Sequence, residues 1–388
     1  MKSRNPILPS EAVEFDTAQK GYMARALELA QKGEGWTSPN PMVGAVLVKE
    51  GKIIGEGWHR KYGGLHAERE ALKACSESAE GADLYVTLEP CCHTGKQPPC
   101  TEAILAAKIG RVFVGSLDPN PLVAGKGIRI LQENGIPVKT GLLEKECRDL
   151  NRIFFHSMTQ NRPYVTLKYA MTLDGKIAAS NGDSKWITGE AARKRVHEER
   201  HRHMAIMAGI GTVLADDPLL TCRLENGRDP IRIICDTHLK TPLESQLVKS
   251  TREIPLILAA GISAQEKAQP YLQAGCQVWL LPQKDGGIDL QALMKRLHEE
   301  KIDSVLVEGG GTLNASLLEE GLADHVQAWI APKIIGGTGK TPVQGAGLLK
   351  MADAFRLENM HISQAGEDFL LEGDIIHPAA AFHNPEAL

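Results

Sequence analysis

The sequence is short of several features that would each point to a class of function. Aromatic residues make up 5% of the chain, and 44 Lys and Arg stand against 48 Asp and Glu, for a net charge of −4. Nucleic-acid binding needs stacking platforms and a basic strip. Neither is present, so no nucleic-acid partner is expected. No segment approaches the ~18 uncharged apolar residues of a membrane span. The opening MKSRNPILPSEAVEFD has no apolar stretch of signal-peptide length. The expectation is therefore a cytoplasmic protein without a membrane partner. No G-x-G-x-x-G follows a strand-like run and opens a helix, so a Rossmann nucleotide fold is not supported. Cysteine is scarce, at 8 of 388 residues, yet Cys91, Cys92 and Cys100 crowd into one short stretch. In a reducing compartment such a cluster reads as a metal or catalytic site rather than a disulfide framework. Cys75, Cys147, Cys222, Cys235 and Cys276 stand alone and read as small buried apolar residues.

What is present is α/β in pattern. The length suggests two domains, each with its own core. Asp16 can cap a helix carrying Met23, Leu27 and Ala30, and Gly33 can end it. MVGAVLV, the turn KEGK and IIGEGW read as a hairpin. Helix near 67–76, strand 84–89, helix 101–107, strand 111–115, helix 126–134 and a segment around Val138 follow. That order implies one sheet with helices on both faces. The stretch 144–160 reads as helical and charged, and Asn161-Arg162-Pro163 stops it. The boundary therefore falls between domains 1–160 and 161–388. The second series runs through strands at 164–170, 205–209, 231–236, 255–260, 277–282 and 304–310, with helices near 190–201 and from Leu290. It closes with strand-like HVQAWIAP and a polar tail, FHNPEAL.

In the first domain His66-Ala67-Glu68 sits where a helix should begin, and Cys91 and Cys100 flank a proline-rich loop from a strand end to the next helix start. One imidazole and two thiolates leave a tetrahedral zinc one open position, as catalytic rather than structural sites do. Zinc lowers the pKa of bound water to about 7. Glu68, beside the ligand His66 without being a ligand itself, is suited to carry the water proton to a ring nitrogen and departing ammonia. Zinc deaminases use H-x-E followed by P-C-x-x-C. Here eight residues, not two, separate the cysteines. A structural zinc with His93 as fourth ligand, and a deaminase acting on a base in RNA or DNA, stand as alternatives. Cys92, adjacent to Cys91, is assigned to packing.

In the second domain SVLVEGG ends in Glu308-Gly309-Gly310-Gly311-Thr312 before the helix-like TLNASLLEEG. Glycines admit a close phosphate, and a helix N-terminus offers it unpaired N–H groups. Lys168 and Asp174, expected to be buried at a strand end before an Asp-Gly turn, suggest a cleft rim. Arg200 and Arg223 suit a phosphate.

Taken together, Asn40-Pro41-Met42-Val43-Gly44-Ala45-Val46, His59, His66-Ala67-Glu68 and Pro90-Cys91-Cys92-His93-Thr94-Gly95 through Pro98-Pro99-Cys100 resemble the deaminase half of the RibD family of bifunctional riboflavin biosynthesis enzymes. LKYAMTLDGKIA, SKWITGEAARKRVHEER and GIGTVLADDPLLTCR resemble its reductase half. The resemblance covers nearly the whole chain. It implies a cytidine-deaminase-like α/β/α domain followed by a dihydrofolate-reductase-like α/β domain. It implies that His66, Cys91 and Cys100 ligate Zn2+, that Glu68 shuttles protons, and that Asn40, His59 and His93 hold a pyrimidine ribose phosphate. Ala170, Trp186, Thr212, Asp216, Gly310, Gly311 and Thr312 would contact NADPH. Lys168, Ser184, Arg200, Leu220, Arg223 and Glu308 would face the substrate, with Lys168 or Glu308 assisting a protonation. Gln97 and Thr172 stand where the family pattern leads one to expect threonine and serine. The substrate would be a small nucleotide and the assembly a homo-oligomer.

Overall fold

A computed structural model of the chain describes residues 14–94, 97–120 and 123–378. The opening segment 1–13, residues 95–96 and 121–122, and the tail from 379 lie outside it. The chain divides into two compact units, Met1–Thr159 and Gln160–Leu388.

In the first unit Asp16 accepts from the Gln19 amide at 2.8 Å while the Gln19 side chain accepts from the Asp16 amide, a capping box that starts α1 (Thr17–Gln31). The remaining elements are β1 (Gly44–Lys49), β2 (Lys52–Trp58), α2 (Ala67–Lys73), β3 (Asp83–Leu88), α3 (Cys100–Ala106), β4 (Arg111–Ser116), α4 (Lys126–Glu133), β5 (Val138–Thr140), α5 (Glu144–Leu150) and α6 (Arg152–Gln160). The sheet order is β2-β1-β3-β4-β5, antiparallel at the hairpin and parallel from β3 to β5. Side chains alternate across β1. Ala45 and Leu47 pack with Ala67 and Ala71 of α2, and Val46 and Val48 pack with Met23, Ala26 and Leu29 of α1. Three layers, α/β/α, result. The stretch 144–160 is two helices rather than one, broken at Asn151, whose side chain is spent elsewhere.

The second unit holds β6 (Tyr164–Thr172), α7 (Glu190–Arg202), β7 (Ala205–Gly209), α8 (Ile210–Asp216), β8 (Ile231–Cys235), α9 (Gln246–Lys249), β9 (Leu256–Gly261), α10 (Ala268–Ala274), β10 (Gln277–Leu281), the short ribbon β11 (Gln283–Lys284) and β12 (Gly287–Ile288), α11 (Leu290–Glu299), β13 (Ser304–Val307), α12 (Gly311–Glu319), β14 (His325–Ala331), β15 (Arg356–Ala365) and β16 (Asp368–Ile376). Its sheet runs β10-β9-β8-β7-β13-β6-β14-β16-β15. The seven strands from β10 to β14 are parallel; β16 and β15 add an antiparallel edge. Strands buried on both faces read as apolar runs. Along β7, Ala205 and Met207 face Leu293 and Leu297 of α11, whereas Ile206 and Ala208 face Leu247 and Tyr271. The chain thus does not end its ordered structure at HVQAWIAP. A hairpin follows it, hidden in the sequence because most β15 side chains are exposed and show no alternation.

Close approach of elements seats the first site. α2 lies so near β2 that a Cβ on Gly57 would fall 2.2 Å from the Ala71 nitrogen and 2.4 Å from the Ala67 oxygen. These are backbone atoms, so relief requires moving the helix that His66 caps. Gly57→Ala should cost about 1–3 kcal/mol and lower both the urea midpoint and zinc retention. Gly21→Ala, where a Cβ meets nothing within 4 Å on α1, should raise the midpoint slightly. A Gly57→Ala protein as stable as the parent would refute the close seating.

Candidate active sites

His66 is the N-cap of α2, Cys100 the first residue of α3, and Cys91 follows β3. Two helix starts and a strand end therefore converge. His66 Nδ1 lies 3.4 Å from each of the Cys91 and Cys100 sulfurs, and the Cys100 amide donates to Cys91 Sγ at 3.3 Å. All three ligand atoms lie within 4.8 Å of one another, and they are the only such group among the described residues. A tetrahedral zinc with bonds of about 2.1 and 2.3 Å would space nitrogen and sulfur about 3.6 Å apart. The donor set and its spacing fit that ion. His93, exposed, is not part of the convergence.

The electrostatics match. Hydrogen bonds from Cys100 and His66 outweigh burial and bring the Cys91 thiol down to about 4, while the same sharing with Cys91, added to burial, drives Cys100 up. One thiolate and one thiol thus share a proton that a dication would displace. Glu68 is 3% exposed. Burial, then the Cys91 charge, raises its pKa, and it hydrogen-bonds Cys100. The carboxylate therefore touches the ligand set from outside it.

His59, also buried, places Nδ1 2.9 Å from the Leu65 carbonyl, which fixes that nitrogen as the donor. Its Nε2 is left to accept from Asn40 Nδ2 at 3.2 Å. Burial lowers the His59 pKa, keeping the ring neutral. Its ring meets that of His66 edge to face at 5.4 Å. The structure thus brings Asn40 against His59 and His59 against His66. It also reveals supports that sequence reasoning missed. Asn151 pins the Asn40 loop by accepting from the Met42 amide at 2.8 Å and donating to the Met42 carbonyl at 2.9 Å. Glu89, immediately before Pro90-Cys91, accepts from the Gly125 and Gly127 amides at 2.9 and 3.0 Å. Arg69 donates to the carbonyls of Pro98 and Pro99 and so holds the approach to Cys100. The one advance signal was adjacency: Glu89 and Arg69 neighbour the motifs.

In the second unit Ala192 and Val196 are buried on α7, and Arg200, four residues on, continues that stripe. Lys168 and Ala170 alternate onto the face of β6 that α7 covers. Glu308 follows β13, whose Val307 pairs with Leu167 of β6. These placements bring three charges together. Arg200 donates to both Glu308 oxygens at 2.6 and 3.0 Å, and Lys168 donates to one at 3.3 Å. Burial alone would raise the Glu308 pKa, but Arg200 and Lys168 overcome it and hold the group near 2. The cluster lies where β13 enters between β6 and β7, the switch point at which open α/β sheets bind ligands.

The glycine turn stands next to it. Gly310, with φ of 68°, caps α12, and a Cβ built there would meet nothing closer than Thr212 Oγ1 at 3.9 Å. The turn is bare backbone ahead of a helix N-terminus, a cradle suited to a dinucleotide phosphate. Thr212 abuts Gly309, and Gly311 and Thr312 abut Gln344. Trp186, 63% exposed, lies under the Arg193 guanidinium. Ser184 is half-buried in the same loop, while Arg223 and Asp216 are exposed. Leu220 departs from expectation: its side chain is buried in the core beside Ile206 and Ile234, leaving only its backbone, with φ of 54°, for a ligand. Asp174 also differs. It is not buried but lies in the surface turn after β6, where it accepts from Thr172 Oγ1 and from the Ile335 and Gly336 amides.

Two family models match. Residues 16–116 match the cytidine and deoxycytidylate deaminase zinc-binding region, and residues 163–371 match the RibD C-terminal domain. The riboflavin biosynthesis protein RibD of Actinobacillus pleuropneumoniae is 48% identical over 96% of this chain and 99% of that protein. The solved structure of Acinetobacter baumannii RibD superposes with a TM-score of 0.85 at 37% identity, over 93% of this chain and 99% of the other. A diaminohydroxyphosphoribosylaminopyrimidine deaminase/5-amino-6-(5-phosphoribosylamino)uracil reductase from Thermotoga maritima superposes at 0.81 with 39% identity, over 92% and 99%. Among the described residues no helix is long and apolar enough to cross a membrane.

Two outcomes follow from the geometry. Cys91→Ser and Cys100→Ser should each purify with little zinc by elemental analysis, whereas Glu68→Gln should retain it; equal loss in all three would place Glu68 among the ligands. For Glu308, a folded pKa near 2 against an ordinary 4.5 means that its contribution is full above pH 4.5 and fades as pH falls toward 2. That contribution is roughly 3 kcal/mol. Glu308→Gln should therefore be less stable than the parent at pH 7, with the gap in denaturant midpoint closing toward pH 2. A gap that does not change with pH would contradict the ionised cluster.

Proposed function

The chain belongs to the RibD family, and from that premise we propose which residues carry each of its reactions. It is a bifunctional enzyme of riboflavin biosynthesis. It hydrolytically deaminates 2,5-diamino-6-ribosylamino-4(3H)-pyrimidinone 5′-phosphate with zinc, then reduces the ribosyl side chain of 5-amino-6-(5-phosphoribosylamino)uracil to ribityl with NADPH. We assign residues 1–160 to the deaminase and 161–388 to the reductase.

In the deaminase, His66, Cys91 and Cys100 hold the zinc, which when bound supplies the Lewis acidity that makes water a nucleophile near neutral pH. Glu68 takes one water proton as the oxygen attacks C2 and gives it to the ring nitrogen. It then takes the second from the resulting C2 hydroxyl and gives it to the amine, which leaves as ammonia as the C2 carbonyl forms. The burial of Glu68 supports this role, because desolvation raises its pKa and so brings the protonated form within reach of a group that must take up and release a proton. Neutral His59 fixes Asn40, leaving the amide oxygen to orient the pyrimidine. His93, exposed at the start of the long cysteine loop, is assigned to the ribose phosphate.

In the reductase, NADPH when bound supplies the hydride to C1′ of the opened ribosylamine. The Gly310–Thr312 turn, Thr212, Ala170, Trp186 and Asp216 are assigned to that cofactor. Ser184, Arg200, Arg223 and the Leu220 backbone are assigned to the substrate. The observation that carries the protonation step is the Glu308 cluster. A carboxylate held near pKa 2 has no proton to give at neutral pH, so Lys168 is the donor to the ring oxygen as the C1′–O bond opens. Glu308 anchors the Lys168 ammonium and the Arg200 guanidinium.

The cysteines of the described residues are all free, in keeping with a reducing cytoplasm. Homo-oligomerisation is supported by Met360, Ile362 and Phe369, apolar residues exposed on the β15–β16 hairpin. The net charge of −4 speaks against nucleic acid.

The test follows ammonia and NADPH in one reaction with the diaminopyrimidinone nucleotide. Glu68→Gln should slow ammonia release by about 10²–10⁴-fold and block NADPH oxidation until deaminated nucleotide is supplied. Lys168→Ala should release ammonia at the parent rate, bind NADPH and fail to oxidise it. Full turnover by Lys168→Ala would remove it as the donor.

A further inference from the structure

One surface segment ties together the two groups of residues assigned to NADPH. Residues 333–344, after β14, run from the loop that bears Trp186 to the glycine turn that caps α12. At the first end Lys333 Nζ donates to the carbonyls of Trp186 and Ile187 at 2.7 and 2.8 Å, and its own carbonyl accepts from the Leu173 amide at 2.8 Å. Asp174 holds the Gly336 amide at 2.8 Å from the opposite direction. In the middle, the Ile177 amide donates to the Lys340 carbonyl, and a Cβ on Gly339 would fall 2.3 Å from the Ala178 oxygen. At the far end the Gln344 amide donates to the Gly311 carbonyl at 3.0 Å, and Asn314 of α12 donates to the Pro342 carbonyl at 2.9 Å.

Trp186 is accordingly not a loose surface aromatic. Its carbonyl is clamped by Lys333, and the Arg193 guanidinium sits 4.6 Å from its ring centroid. Arg193 is itself fixed by donating to the Thr188 carbonyl at 2.7 Å. A large apolar ring left 63% exposed yet held at its backbone and stacked beneath a cation is built to receive a planar ligand rather than to fill a core. Preorganisation of this kind raises affinity by removing the ordering cost of the bound state.

We infer that Lys333 and Arg193 are positioning residues that preset Trp186 for NADPH, with Lys333 anchoring the backbone and Arg193 the ring. Segment 333–344 relays that placement to the Gly310–Thr312 turn. The inference rests on the assignment of Trp186 to NADPH and adds what holds it.

The test measures NADPH binding by fluorescence, and KM for NADPH and kcat with deaminated nucleotide, in Lys333→Met, Lys333→Arg, Arg193→Gln and Trp186→Ala. Lys333→Met and Arg193→Gln should raise KM and Kd for NADPH about 5- to 10-fold while kcat at saturation stays within about twofold. Lys333→Arg, which keeps a donor to the two carbonyls, should recover most of the affinity. Ammonia release, which belongs to the other unit, should not change, and the preserved kcat at saturation serves as the folding control for the unit that carries the substitutions. A higher Kd in Trp186→Ala with parental values in Lys333→Met and Arg193→Gln would overturn the inference and leave the assignment of Trp186 standing. No change in Trp186→Ala would overturn both. A fall in kcat alone would show that the two residues act on the reaction rather than on cofactor placement, which also overturns it.

Discussion

Glu308 is a carboxylate with a side chain 8% exposed, and the reductase site is arranged around keeping it ionised there. An isolated charge at that depth would cost several kcal/mol. Three elements distant in sequence share the work of avoiding this. α7 brings Arg200, β6 brings Lys168, and the parallel pairing of β13 with β6 sets Glu308 level with Lys168. Arg200 uses its remaining nitrogen, Nη1, to donate to the Thr221 carbonyl, so the same cation that pairs Glu308 also fixes the start of the loop carrying Arg223. The register of the sheet, the pitch of α7 and the course of that loop are thus tied to one ion cluster. A one-residue slip of β6 would turn Lys168 to the opposite face and leave Glu308 half paired.

The first unit meets the same constraint differently. Its site gathers two thiols, an imidazole and the buried carboxylate of Glu68, and among the described residues no lysine or arginine hydrogen-bonds to them. The two cysteine side chains hydrogen-bond to each other and to His66, and a dication whose ligand spacing the three residues already match would complete the set. Organisation here comes from close packing. α2 can reach β2 only because Gly55 and Gly57 present no Cβ, and that contact sets the height of His66 above the sheet.

How much of this was legible in the sequence follows from the range of each interaction. The His66, Glu68, Cys91 and Cys100 pattern could be read because the residues lie at helix starts and a strand end, where spacing alone predicts convergence. The parallel strands could be read because burial on both faces makes them apolar throughout. Asn151 could not: its partner, Met42, lies 109 residues away, and a lone asparagine inside a helical stretch carries no mark of the loop it will pin. Lys333 lies 147 residues from the Trp186 carbonyl that it holds. Leu220 was assigned by motif, and the motif did not say that its side chain turns into the core while its backbone takes a left-handed φ. β15 escaped because it is an edge strand with little to bury, so the alternation that reveals strands was absent. Hydrogen bonds from side chains to distant backbone leave no pattern in a linear sequence; periodic burial does.

Two glutamates show how one residue type serves opposite ends in this chain. Glu68 and Glu308 are both buried, and burial pushes both toward the neutral form. Around Glu68 the next influence is the Cys91 thiolate, which pushes the same way. A zinc ion on the three ligands would cancel that second effect but not the first, leaving a carboxylate that can pick up a proton and let it go. Around Glu308 the next influences are Arg200 and Lys168, and they overpower burial. One group is thereby suited to carrying protons and the other to holding a fixed charge. Environments that push the pKa values of like groups apart are how acid–base roles are divided in one protein. Here the division follows from which elements deliver cations. α7 and β6 each bring one to Glu308, whereas α3 and the loop after β3 bring sulfur, Cys100 and Cys91, to Glu68.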